Sequence, residues 1–153
     1  MASAATVFQP RFPGWEARVR ASFARQGAMA LIGAEIVALA PGRCSIALPR
    51  RAEVSQQHGY VHAGMIAAIV DAAGGYAGYT IFPEESSVLT VEFKLNLLAP
   101  ATGDRIVAEG TVVKPGRSLA ITTGEVYAEE GTRRTLVALM QQTLMVMHGR
   151  ADE

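Results

Sequence analysis

The stretch "HGYVHAGMIAAIVDAAGGYAGY", from His58 to Tyr79, decides how this chain is read. Between Glu53 and Glu84 the only Asp, Glu, Lys or Arg is Asp71, in the middle of that run. From His62 onward the composition predicts a helix that is apolar on all sides, and such a helix belongs inside a fold. Gly59 supplies a turn just before it, and His62-Ala63-Gly64 falls at its expected start. Backbone N–H groups in a first helical turn have no intrahelical partner, so they form a place for negative charge. Gly74 and Gly75 each cost about 1 kcal/mol of helix propensity. The pair predicts either close packing or a bend.

Could the run cross a membrane? Val61 to Phe82 is long enough. An Asp at the bilayer centre, however, costs about 2.5–3.5 kcal/mol on insertion scales. The glycines, the lack of a nearby basic flank and the alternating segments that follow assign the run to a soluble core.

Upstream, Trp15, Val19 and Phe23 recur every four residues after Pro13-Gly14, which predicts an amphipathic helix over 13–26. "GAEIVALAPGRCSIALPR" (33–50) is split by Pro41-Gly42 and reads as a β-hairpin. Downstream the period becomes two. Leu89, Val91, Phe93, Leu95 and Leu97 share one face of a strand, and Thr90, Glu92, Lys94 and Asn96 the other, as in a half-buried strand. Short glycine-containing turns then separate "RIVAEGTVVK", "SLAITTGEVYAEE" and "TLVALMQQTLMVMHG". The pattern predicts four strands in an antiparallel meander. His148 and the end of the chain read as a frayed tail, and residues 1–12 and 149–153 as loose. The fold class is α+β: one antiparallel sheet packed on one long helix, in a single domain over 1–153.

With 153 residues, 50% of them hydrophobic, and 14 basic against 14 acidic side chains, the chain can build a core. It shows no charge run suited to nucleic acid. Cys44 is the only cysteine, which excludes an intrachain disulfide. "MASAATVFQPRFPGW" has no apolar segment of signal-peptide length, so a cytoplasmic location is the expectation. His58, His62 and Asp71 suggest a metal site, but Gly59 and the turn between His58 and His62 argue against one helical face for the two histidines, and no metal site is expected.

Gly59-x-x-His62-x-Gly64, with Ile69-x-Asp71 nine residues after the His, resembles the hotdog-fold acyl-CoA thioesterases. The resemblance is to the phenylacetate-pathway and hydroxybenzoyl-CoA branch. It continues through "SVLTVEFKLNLLAPATGDRIVAEGTVVKPGRSLA" and covers about residues 30–147. It implies hydrolysis of acyl-CoA to free acid and CoA, with no cofactor beyond the CoA of the substrate. Asp71 would be base or nucleophile, and the Ala63 N–H an oxyanion donor. His62 would shape the helix start and meet the thioester, Thr90 would orient water, and Gly64 would bind substrate. Lys114, Gly116 and Arg117 would lie where relatives hold CoA phosphates. Two positions depart from the pattern. Ala63 replaces a glycine but keeps the N–H, and Gln56 stands where some relatives have asparagine. Met65, Tyr76, Tyr79 and Phe82 fit either an acyl pocket or the core. The other functions open to such a fold are a hydratase or dehydratase, and an acyl-CoA sensor without turnover.

One consequence follows from helix length. Ala63 and Asp71 are eight residues apart, or about 12 Å along one helix. A single carbonyl cannot reach both. The site therefore requires two offset, antiparallel copies of the helix, which a two-fold homodimer or a dimer of dimers supplies. On this reading the small residues of the helix let the two copies approach.

Overall fold

A computed structural model of the chain describes residues 7–150 and 152. Helix α1 (Trp15–Ala24) is followed by the short α2 (Gly27–Ile32), strands β1 (Glu35–Ala40) and β2 (Arg43–Pro49), and a 3-10 turn (Ala52–Val54). The long helix α3 (Ala63–Tyr79) leads into β3 (Ser86–Leu97), β4 (Arg105–Lys114), β5 (Leu119–Glu130) and β6 (Arg133–His148). The six strands form one antiparallel sheet in the order β1-β2-β4-β5-β6-β3. The sheet wraps around α3.

Three features of this topology depart from the sequence pattern. First, the expected helix over 13–26 is shorter, and a second one follows; Gln26 is the N-cap of α2 and Gly33, in a left-handed conformation, its C-cap. Second, β3 does not pair with β4. It lies beside β6, so only β4, β5 and β6 form a meander. The connection from β3 to β4 crosses the ends of β6 and β5, where Leu98 N–H donates to Val137 O and Asp104 N–H to Glu129 O, both at 2.8 Å. Third, His148 is the last residue of β6, opposite Ser86, rather than part of a frayed tail.

The register of β3 also breaks the expected alternation. A bulge lies between Thr90 and Glu92. Before it, Thr90 pairs with Leu144; after it, Phe93 pairs with Gln142 and Leu95 with Met140. Cross-strand partners share a face. The buried residues of β6 (Met140, Gln142 and Leu144) therefore show that Thr90 and Phe93 both face α3. A simple period of two had put them on opposite sides. Nor is β3 half-buried in the single chain: Leu89, Val91, Phe93 and Leu97 are all exposed.

The core lies between α3 and the sheet. Ile69 and Val70 of α3 pack with Ile46, Ile106, Val126 and Leu144 of the strands, all of them fully buried. Each such side chain contributes about 1.5–3 kcal/mol on burial. The helix lies close because its contact points are glycine. A Cβ on Gly110 of β4 would sit 2.2 Å from Ala73 O, and one on Gly124 of β5 would sit 2.4 Å from Val70 Cγ2. On α3 itself the chain's own sheet accounts for Gly74 and Gly78, where a Cβ would sit 2.0 Å from Gln142 Oε1 and 2.6 Å from Leu144 Cδ1. At the far end, Arg18 of α1 donates to Tyr79 O at 2.8 Å and to Pro83 O at 2.6 Å. A cation there satisfies carbonyls that the helix leaves open. Residues 7–12 carry no regular structure, yet Phe8 packs against the core and Phe12 lies under the Arg18 guanidinium.

Candidate active site

Helix α3 carries two groups of interest, one at its start and one in its middle. At the start, His62 is the N-cap, with extended backbone (φ −63°, ψ 138°). Its Nδ1 accepts from Gly64 N–H at 2.9 Å, so the ring caps the first turn of the helix. The Ala63 N–H has no acceptor among the described residues. Gly59 makes the preceding turn at φ +80°, a conformation that disfavours any side chain. The side-chain oxygen of Gln56 accepts from His58 N–H inside that turn. Gln56, Tyr60, His62 and Ala63 share an open cleft of about 510 Å³ with Leu97 and Leu98. Among the described residues no carboxylate lines it.

In the middle of the helix, Asp71 is half-buried. Its Oδ1 accepts from Thr90 Oγ1 at 2.7 Å and from Gln142 Nε2 at 2.6 Å. Gln142 Nε2 also lies 3.1 Å from Asp71 O, and its Oε1 accepts from Thr122 Oγ1 at 2.7 Å. Gln142 is 1% exposed and Thr122 fully buried. These two strand residues fix the carboxylate from below, while the bulge in β3 brings the Thr90 hydroxyl to the same oxygen. Oδ2 has no hydrogen-bond partner among the described residues, and Asp71 lines a second open cleft of about 500 Å³ between α3, α1 and β3. An oriented carboxylate with one free oxygen beside a cleft can take a proton or attack an electrophile.

The structure thus brings Asp71 and Thr90 together, and Gln56, His62, Ala63 and Gly64 together, but in separate places. Lys114, Gly116 and Arg117 lie elsewhere, in the β4–β5 turn and its approach. Gly116 and Arg117 line a cleft of about 290 Å³ with Arg11 and His148; Lys114 does not. His148 Nε2 is 2.6 Å from Arg117 O. Of the four large side chains that fitted pocket or core, Tyr76, Tyr79 and Phe82 are core, Met65 is half-buried against it, and Tyr76 also lines the Asp71 cleft. Cys44 is not a nucleophile: burial pushes its thiol up to about 12. No group of three or more His, Cys, Asp or Glu suited to a metal occurs among the described residues. No helix there is long and apolar enough to cross a membrane. The sequence reading missed Gln142 and Thr122. Its available signal was the pair Gln141-Gln142, which interrupts an otherwise apolar strand.

Residues 58–135, just over half of the chain, match the thioesterase superfamily. The crystal structure of a thioesterase family protein from Silicibacter pomeroyi is 45% identical, with a TM-score of 0.87, over 89% of this chain and 100% of that one. A putative esterase of Saccharolobus solfataricus is 28% identical over 97 residues, 63% of this chain and 69% of the relative. The PaaI protein from the phenylacetic acid degradation operon of E. coli, 17% identical with a TM-score of 0.78 over 89% of this chain and 95% of that one, shares the fold. The sheet wrapped around α3 is the hotdog fold, and the chain belongs to the thioesterase superfamily.

Proposed function

We propose that the protein hydrolyses acyl-CoA thioesters to a carboxylic acid and CoA. The observation that carries the reading is the Asp71 carboxylate: Thr90 and Gln142 hold one oxygen, and the other, beside an open cleft, has no partner among the described residues. In the reaction, water adds to the thioester carbonyl as Asp71 takes its proton. The tetrahedral intermediate then expels the CoA thiolate, which recovers a proton. A direct attack by Asp71, with hydrolysis of the resulting mixed anhydride, gives the same products. Either route places negative charge on the former carbonyl oxygen, and an N–H aimed at that charge is worth about 10²–10³ in kcat.

The Ala63 N–H suits that role but lies too far along α3 from its own Asp71. We therefore propose that each site joins Asp71 of one chain to the Ala63 N–H of a second copy. The edge of β3 supports this assembly. It is twelve residues long and exposes Leu89, Val91, Phe93 and Leu97. An uncovered apolar edge of that length invites pairing with another chain. The other edge, β1, is six residues long and bulged. Arg11, Arg117 and His148, gathered at the β4–β5 turn, fit the phosphates of CoA.

The test is incubation with acetyl-, hexanoyl-, aryl- and hydroxyacyl-CoA, with free thiol as the readout. Release from at least one of them, abolished in Asp71→Asn, is expected. Binding of the same thioesters without thiol release would identify a sensor instead.

A further inference from the structure

The two adjacent glycines of α3 face different surroundings. A Cβ on Gly74 would meet Gln142 Oε1 at 2.0 Å, so packing against the sheet demands glycine there. Among the described residues, a Cβ on Gly75 would meet nothing within 4 Å. Packing gives no reason for glycine at 75, although the helix loses stability by having it. Gly75 stands four residues after Asp71, hence on the same helix face, and lines the same cleft. The empty space over it is continuous with the space beside the carboxylate.

The facing wall, supplied by the end of α1, is polar. Ser22 Oγ lies 3.1 Å from Tyr76 Oη, and Gln26 Nε2 donates to that hydroxyl at 3.0 Å. Arg25 stands on the same wall, 3.3 Å from the carboxylate of Asp152. Tyr76 is 3% exposed, and burial raises its pKa, so it remains a neutral phenol able to donate and accept. The Ser22 and Tyr76 hydroxyls are buried and already bonded to each other and to Gln26, whereas the Arg25 side chain is 48% exposed. An unsubstituted alkyl chain against this wall would strip water from that guanidinium and replace none of its hydrogen bonds.

We propose that Gly75 is a specificity-determining residue. The cleft beside Asp71 receives the acyl group, Gly75 keeps it open, and the α1 wall selects an acyl group of modest size with a hydroxyl or keto substituent at its far end. The inference rests on Asp71 as the catalytic carboxylate.

Kinetics with acetyl-CoA, hexanoyl-CoA and 6-hydroxyhexanoyl-CoA test it, in the wild type, Gly75→Leu and Gly75→Ala. The wild type is expected to favour the hydroxylated substrate over hexanoyl-CoA by at least about fivefold in kcat/KM. In Gly75→Leu the ratio of 6-hydroxyhexanoyl- to acetyl-CoA should fall by about tenfold or more, with Gly75→Ala between the two (tenfold being about 1.4 kcal/mol of transition-state binding). Gly75→Ala also covers the case in which leucine impairs folding, which thermal unfolding reports. Unchanged substrate ratios in the folded variants would overturn the role of Gly75. A wild-type preference for hexanoyl-CoA would overturn the polar acyl class. If the wild type releases thiol from nothing, the hydrolase reading itself fails. Calorimetry with the non-hydrolysable thioether of the hydroxylated substrate then decides the cleft: weaker binding to Gly75→Leu supports it, and equal binding overturns it.

Discussion

The two clefts along α3 are complementary. The one at mid-helix has an oriented carboxylate, held by Thr90 and Gln142. The one at the helix start has an N–H at Ala63 with no acceptor among the described residues, behind a capping His62. Each lacks what the other has. A helix can place an acid and an oxyanion donor in one sequence, but its rise of about 1.5 Å per residue keeps them apart. On the proposed shared site, bringing them together is a matter of assembly rather than of folding, and the exposed apolar residues of the β3 edge are where we propose that assembly forms.

The contrast can be broken at the carboxylate. Asp71→Asn keeps the shape and the two hydrogen-bond donors near Oδ1 but removes the proton acceptor. We expect kcat to fall by about 10² or more, while a non-hydrolysable CoA thioether still binds. Near wild-type turnover would remove Asp71 from the chemistry.

A smaller effect is expected one contact further out. Gln142→Leu removes the amide that donates to Asp71 Oδ1 and leaves the buried Thr122 hydroxyl without its acceptor. A loss of about tenfold in kcat follows if the amide positions the carboxylate, and stability should drop by about 1–3 kcal/mol. Gln142→Glu keeps the acceptor for Thr122 but sets a second acid against Asp71. It should recover less activity than stability. Denaturant unfolding beside steady-state kinetics separates the two effects, and a Gln142→Leu variant with full kcat would make the amide merely structural.

The mildest change lies away from both clefts. Replacing Arg11 and Arg117 together by Ala should raise KM for an acyl-CoA severalfold with little change in kcat. The defect should nearly vanish with the acyl-pantetheine, which lacks the nucleotide. An equal defect with both substrates would show that these arginines do not meet the phosphates.

Much of this organisation was legible in the sequence. The lone carboxylate of an apolar run marked Asp71, and the boundaries of the last three strands followed from glycine-containing turns. The rest lay in tertiary context. The bulge at Val91 cannot be seen in an alternating string, because an extra residue in β3 has meaning only against its partner β6. That bulge turns Thr90 toward Asp71. The placing of β3 beside β6 depends on a crossover that composition does not record. Gln142 looked like one member of a short polar step, Gln141-Gln142-Thr143, until the register set it under Asp71. The adjacent Gly74 and Gly75 looked alike, and only the packing separates a glycine that the sheet requires from one that leaves space.

Reassorted dimers test the shared site most directly. One tagged chain carries Asp71→Asn and the other Ala63→Pro, which deletes the donor N–H. Ala63 is the first helical residue, where proline is tolerated, and His62 already has the extended backbone that a residue before proline adopts. Both homodimers should be nearly inactive, and thermal unfolding should show both folded. Random reassortment makes about half the dimers mixed. In each of these, one site combines the intact Asp71 with the intact Ala63 N–H, so activity should return to about a quarter of wild type. Folded mixed dimers with no recovered activity would contradict a site shared between two chains.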